Sequence, residues 1–136
     1  MLEIKPATEN EIQVIEQLVG LYDIDLEDIK KDISNCMIAY DNEIPVGAGG
    51  FNYQENQCSL SFVVVKKERQ NEYLGDAIVK SVLNLANYKG IQKVYVNPKE
   101  YASFFEKLRF KKDDADKNLL FVTLPDYFLQ GCKHKK

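Results

Sequence analysis

Two apolar runs, Cys58 to Val65 and Ile91 to Val96, flank a single helical stretch, and no other feature constrains the fold as much. A tight hairpin cannot join them. A strand, a crossover helix and a second strand of the same sheet form a βαβ unit, so the two strands are expected to be parallel. Between them Leu74, Ala77, Ile78, Ser81, Val82 and Leu85 recur at helical spacing, and Gly90 closes the helix as a left-handed cap. The turn into the helix is short and charged, and Gly75 falls in the first helical turn. Such a turn aims backbone N–H groups and the positive helix end beyond the strand, which suits a phosphate.

The remaining elements can be read around that unit. Leu2 and Ile4 alternate with charged residues as a first strand. Thr8 to Glu11 carries a capping box, after which Ile12, Ile15, Val19 and Tyr22 share a helical face. Asp25 repeats the start signal for a shorter stripe of Leu26, Ile29 and Ile33. The period then falls to two. Met37 to Tyr40, Glu43 to Tyr53 and Cys58 to Val65 form an antiparallel meander, with turns at Asp41-Asn42 and Gln54 to Asn56. Gly47, Gly49 and Gly50 in the middle strand predict a bulge or a group pressed against the backbone. Beyond Pro98, residues Tyr101, Phe104, Phe105 and Leu108 give a short helix, and Phe110 and Leu119 to Leu124 supply closing strands. The order is β-α-α-β-β-β-α-β-α-β-β, an α/β (α+β) class with a mixed, mostly antiparallel sheet of six to seven strands and helices on both faces.

Length and charge narrow the function. At 136 residues the chain is expected to be one domain, 1–136, with a frayed tail from about 130. A net charge of −3 leaves no nucleic-acid footprint. No apolar run is long enough for a membrane span, and the N-terminus lacks a signal-peptide core, so a cytoplasmic protein is expected. Cys36, Cys58 and Cys132 are odd in number and widely spaced, and His134 stands alone in a basic tail, so neither disulfides nor a metal site are expected. Gly47 to Gly50 is no phosphate loop, because no helix follows it.

This order of elements, with its central strand-turn-helix, resembles the GCN5-related N-acetyltransferase (GNAT) superfamily, specifically its short bacterial or archaeal members, over nearly the whole chain. Lys5-Pro6-Ala7-Thr8-Glu9 matches their first strand and acidic helix start. The family pattern Gln/Arg-x-x-Gly-x-Gly/Ala reads here Gln70-Asn71-Glu72-Tyr73-Leu74-Gly75, a degenerate copy. The family's Phe-Tyr-Glu-Lys-Leu-Gly-Phe reads Phe104-Phe105-Glu106-Lys107-Leu108-Arg109-Phe110. The resemblance implies that acetyl-CoA lies between splayed fourth and fifth strands. It puts Val63 and Val65 on the pantetheine arm, Gln70, Asn71, Glu72, Tyr73, Leu74, Gly75 and Asp76 around the phosphates, and Phe105 where the family often has a tyrosine acid. Tyr73 replaces a glycine, and its ring is expected to crowd the phosphates. Glu72 and Asp76 add negative charge that Lys66, Lys67 and Arg69 could offset.

The implied activity is N-acetyl transfer from acetyl-CoA to an amine of a small molecule or protein, by direct attack. Phe105 has no proton to give a leaving thiolate, and Tyr101, one turn earlier, is the candidate substitute. For a general base the candidates are Glu55 and Tyr53. The alternative is a weak or inactive CoA-binding sensor, or an interaction module. Asp23, Asp25, Glu27 and Asp28 make the region of the first two helices acidic, which favours a cationic acceptor. Pro125 to Leu129 is expected to expose two aromatics, over a sheet edge or as a homodimer contact.

Overall fold

The computed structural model describes residues 1–128 apart from 21, 23, 25, 32, 71, 72 and 126, and of 26 and 28 only the backbone. The expectations for Asp23, Asp25, the Asp28 side chain, Cys132 and the tail therefore lie outside the described residues.

Seven strands form one sheet: β1 (Leu2–Pro6), β2 (Cys36–Asp41), β3 (Ile44–Gln54), β4 (Gln57–Val65), β5 (Lys93–Val96), β6 (Lys111–Lys112) and β7 (Leu120–Thr123). Their spatial order is β1-β2-β3-β4-β5-β7-β6. Only β4 and β5 run parallel; every other pair is antiparallel. The helices are α1 (Ile12–Val19), α2 (Leu26–Lys31), α3 (Leu74–Tyr88) and α4 (Ala102–Lys107). The mixed sheet and the order of elements are those the sequence predicts. No helix among the described residues is long and apolar enough to cross a membrane.

The sheet carries two cores. On one face Ile15, Leu18 and Val19 of α1 pack with Cys36, Ile38, Ala48, Phe62 and Val64. On the other, Leu74, Ile78, Val79, Val82 and Leu83 of α3 pack with Met37, Ala39, Cys58, Leu60, Val65 and Val94. Strict alternation along β4 would put Cys58, Leu60, Phe62 and Val64 on one face. They divide between two because Gly50 pairs with Phe62 while Phe51 pairs with Leu60, leaving Ser61 as an extra residue. A one-residue bulge exchanges the faces.

Both roles predicted for the glycines of β3 are met: β3 bulges at Val46, beside Gly47, where Ala39 pairs with Gly47 but Tyr40 with Pro45, and close approach holds at Gly47 and Gly49. A Cβ there would lie 2.7 Å from Ile78 of α3 in either case. The bulge opposite Gly50 takes its extra residue from β4.

At the α1 end, the Glu11 carboxylate accepts the Thr8 N–H at 2.9 Å and the Thr8 hydroxyl at 3.1 Å. It also accepts the Tyr40 hydroxyl of β2. Burial raises the Glu11 carboxyl, but the bonds from Tyr40 and Thr8 together outweigh it and leave it below the usual range. Burial and the same carboxylate push Tyr40 up to about 12.

The segment after β7 departs from expectation. Tyr127 is buried and Phe128 is partly buried against the α3-side core, so the exposure expected of the two aromatics does not hold. An aromatic-rich end reads as a sticky surface only when nothing in the fold covers it.

Candidate active site

β4 and β5 pair only at Cys58–Val94 and Ser59–Tyr95, and then separate. Two things part them. The bulge at Ser61 bends β4, and Val96 of β5 is held on its far side by Leu120 of β7. The result is a groove of about 1040 Å³ lined by residues 60 to 65 of β4, the start of α3, the 97–101 turn and α4.

The edge of β4 facing this groove carries backbone polar groups. Lys66 donates its N–H toward β3, to the Val46 carbonyl at 2.9 Å, whereas the Val65 carbonyl receives the Tyr22 hydroxyl at 2.8 Å. Backbone groups alternate sides along a strand, so Val63 presents its N–H and C=O on the same side as Val65, the open one. Buried backbone groups seek partners, and Val63 is placed to bond a guest in the groove. The Val65 carbonyl is already taken: Gln70 Nε2 also reaches it at 3.2 Å and the Tyr22 hydroxyl at 2.8 Å. Gln70 therefore braces the turn, and its own N–H closes on the Lys67 carbonyl at 3.4 Å. Nothing in the sequence signals Tyr22, which reaches β4 from 43 residues away.

Beyond the turn, α3 opens toward the groove. Tyr73, its N-cap, makes no capping hydrogen bond through its side chain, and the first bond of the helix runs from the Ala77 N–H to the Tyr73 carbonyl at 3.2 Å. Among the described residues the amides of Leu74, Gly75 and Asp76 have no partner, as is usual for the first amides of a helix. Asn71 and Glu72 lie outside the described residues.

Tyr73 has φ 60° and ψ 17°, the left-handed region, and its side chain is 84% exposed. The backbone keeps the conformation a glycine would take freely, and the ring stands out in solvent at the groove's rim. What replacement of the glycine costs is conformational strain, about 1–2 kcal/mol for a residue with a Cβ. Tyr73→Gly should therefore raise stability by about 0.5–1 kcal/mol after the greater chain entropy of glycine is counted. Urea unfolding checks this; a lower midpoint for the variant would contradict it.

The electrostatics also differ from expectation. Arg69 turns away to Asp41 at 3.0 Å, and neither it, Lys66 nor Lys67 lines the groove. Positive charge comes instead from Lys80, Lys99, Lys107 and Arg109, against Asp76 and Glu100. Asp76 is paired with Lys80 at 3.7 Å, four residues on. That spacing was visible in the sequence; its position at the groove was not.

Phe105 is buried in the groove wall, its ring edge-on to Phe104 and Phe110 at centroid distances of 5.0 and 5.3 Å. Tyr101 lines the same groove and is 60% exposed. Tyr53 and Glu55 are not brought to it. They lie at the other end of β4, around a separate hollow of about 410 Å³ with Gln57, Gly90 and Lys93. The hairpin places them there, because Tyr53 pairs with Cys58 where the β4–β5 ladder is still closed. As bases for chemistry in the groove they are set aside. Cys58 is buried beneath that ladder, and burial pushes its thiol up to about 12, so it is no nucleophile.

Comparison with known proteins agrees with this architecture. The sequence profile of one family, an acetyltransferase (GNAT) domain, matches residues 7–123. No curated protein matches the chain in sequence. N-acetylglutamate synthase of Neisseria gonorrhoeae, solved with coenzyme A and N-acetyl-glutamate, superimposes with a TM-score of 0.74 at 15% identity. That match covers 91% of this chain and 35% of the synthase, so the chain spans about a third of that protein. The PaiA N-acetyltransferase of Thermoplasma acidophilum, solved with coenzyme A, gives 0.70 at 15% identity over 90% of this chain and 99% of its own. A GNAT-family acetyltransferase of Staphylococcus aureus Mu50 gives 0.72 at 16% identity over 91% and 99%. At such identities the likeness is one of fold.

Proposed function

The chain belongs to the acetyltransferase (GNAT) domain family, and from that premise we propose that it binds acetyl-CoA in the β4–β5 groove and passes the acetyl group to an amine. The observation carrying this reading is the continuity of the groove. One cleft joins the open edge at Val63 to the unpaired amides at the start of α3. A thioester with a long amide-bearing arm and a pyrophosphate needs those two features in that order.

In this reading the amides of Leu74, Gly75 and Asp76 hold the pyrophosphate at the positive helix end. Val63 bonds an amide of the pantetheine arm as an added strand would. Phe105 supplies an apolar wall that keeps water from the thioester. Acetyl-CoA itself contributes the activated carbonyl, whose carbon the amine attacks directly. No covalent enzyme intermediate is required, in keeping with the inert Cys58 thiol.

Proton handling is sparse. Among the described residues the carboxylates lining the groove are Asp76 and Glu100, and the first is tied to Lys80. Deprotonation of the amine is therefore assigned to water, which favours acceptors of low pKa. The thiolate needs little help to leave, since free thiols titrate at about 8.5. Tyr101 is the phenol positioned to protonate it. Phe105 favours a second reading, a CoA-binding member that does not turn over.

Titration with free CoA while following thermal unfolding tests the binding step. At about 100 times its dissociation constant the ligand should add about 2.7 kcal/mol of stability. No shift at millimolar CoA would remove both readings. A shift without thiol release from acetyl-CoA across a panel of amines would leave the binding-only one.

A further inference from the structure

We propose that Arg109 and Tyr127 form a carboxylate-binding subsite at the closed end of the groove, a specificity element that rests on the acyl-transfer reading above. Both residues line the groove. Tyr127 is 4% exposed, yet among the described residues its hydroxyl meets no hydrogen-bond partner, and neither does the buried Nη1 of Arg109. The guanidinium carbon of Arg109 stands 4.3 Å from the centre of the Tyr127 ring, so the two side chains are stacked together. Buried polar atoms are nearly always satisfied in folded proteins, and two unmet ones on stacked, groove-lining side chains mark a place for an acceptor.

The backbone makes the same point. Arg109 has φ 72°, the left-handed region, where glycine would be relaxed. A costly conformation occupied by a long cationic side chain is of the kind that clusters at ligand sites. It directs the guanidinium over Tyr127.

Strand register fixes the place. Lys111, two residues after Arg109, pairs with Phe121, which itself lies opposite Tyr95. Tyr127 follows Thr123, which lies opposite Lys93 at the start of β5. Arg109 therefore sits level with the place where β4 and β5 still touch, at Cys58–Val94, and Tyr127 is held there by its contact with Arg109. The unpaired amides of α3 are at the other, open end, so the phosphates have their own seat. The group that reaches the closed end belongs to the reacting half of the complex.

A guanidinium and a phenol, both donors, fit a group with two anionic oxygens. Leu60, Phe105 and Leu108 leave the surroundings apolar, which strengthens such a pair. The chemistry is a carboxylate. It comes either from the far end of the acyl chain or from the acceptor.

Two arms separate these sources. In the first, acetyl-CoA and succinyl-CoA, whose acyl ends differ by a carboxymethyl group, are titrated against the full chain and against Tyr127→Phe and Arg109→Gln. In the second, amino acids and their carboxamides are compared as acceptors with acetyl-CoA as donor. A preference of about ten- to a hundredfold for the carboxylate form, in one arm, is expected of the unaltered chain, and it should collapse in both variants. Preference in the first arm assigns the site to the acyl group, and in the second to the acceptor. No preference in either arm, or a preference that survives both variants, overturns the subsite. Tyr127→Phe gives a separate check on folding: removal of an unpartnered hydroxyl should leave the melting temperature level or higher, and a clear drop would show the hydroxyl to be already satisfied. Absence of any shift with free CoA removes acyl transfer itself, whereas a CoA shift without carboxylate preference removes only this proposal.

Discussion

Gly49→Ala is expected to destabilise the protein by about 1–3 kcal/mol, and Ile78→Ala in the same chain to relieve part of that loss. The added Cβ at Gly49 would lie 2.7 Å from Cγ2 of Ile78, closer than two carbon atoms can rest. Its other neighbours, the Phe62 carbonyl at 3.2 Å and Val82 at 3.3 Å, are tight but tolerable. Ile78 is fully buried, so Ile78→Ala alone should cost about 2–5 kcal/mol. The double variant should be less damaged than the sum by about 1 kcal/mol or more, the signature of direct contact. Gly47→Ala is the contrasting case. There the Cβ would meet not only Ile78 at 2.7 Å but the Val64 backbone carbonyl at 2.9 Å, which no side-chain change removes. Urea unfolding of the five variants measures this. Simple additivity at Gly49, or equal relief at Gly47, would show that α3 does not rest on these glycines through Ile78. The contact bears on function because the depth at which α3 sits on β3 sets where its first amides stand relative to the open edge of β4.

Those glycines mark the boundary between what the sequence discloses and what it does not. Three glycines in four residues of one strand signal close approach, because packing needs the absent side chains. Which neighbour approaches is a tertiary fact. The change of period at Cys58 to Val65 and again at Leu74 to Leu85 reports burial directly, so strand, helix and parallel return were all readable. The bulge at Ser61 was not. One inserted residue leaves the apolar spacing of Cys58, Leu60, Phe62 and Val64 intact while moving the last two to the opposite face. The splay of β4 from β5 depends on that insertion, so the cleft was foreseen through resemblance and not through periodicity.

Two glycine positions of the family pattern were legible as departures, though not the backbone conformation that each one holds. Tyr73 stands for a glycine, and a large ring in a phosphate cradle suggests obstruction. Its φ of 60° shows the position to be demanding in conformation, with the ring turned to solvent. Arg109 stands for the other glycine and has φ 72°. In both places the backbone geometry is kept at a strain that glycine would avoid. Sequence reveals the substitution; only the dihedral angle reveals which property of glycine was needed. The bases were lost for another reason. Tyr53 and Glu55 are near β4 along the chain, but a strand of nine residues reaches about 30 Å, and they lie at its far end.

Lys80→Glu is expected to weaken binding of CoA about tenfold or more at low salt, with little loss of fold. Lys80 is the groove-lining cation carried by α3 itself, one helical turn beyond Asp76 and paired with it. With lysine in place, its charge neutralises Asp76 and leaves the helix end free to attract an anion. With glutamate in place, two carboxylates stand one turn apart beside the proposed pyrophosphate seat. Coulomb repulsion acting through solvent over several ångströms then opposes a multiply charged ligand at roughly 0.5 kcal/mol for each pair of unit charges. The cost to the helix is smaller, about 0.2–0.5 kcal/mol for like charges at this spacing. Because the effect is electrostatic, raising ionic strength from about 0.05 to about 0.5 M should shrink the difference between variant and parent. Lys80→Gln should fall between them. Calorimetric titration with CoA at the two salt concentrations separates the possibilities. Equal affinities at low salt would place the phosphates away from α3 and remove the seat assigned to Leu74, Gly75 and Asp76. A loss that ignored salt would trace to a shifted helix and not to charge.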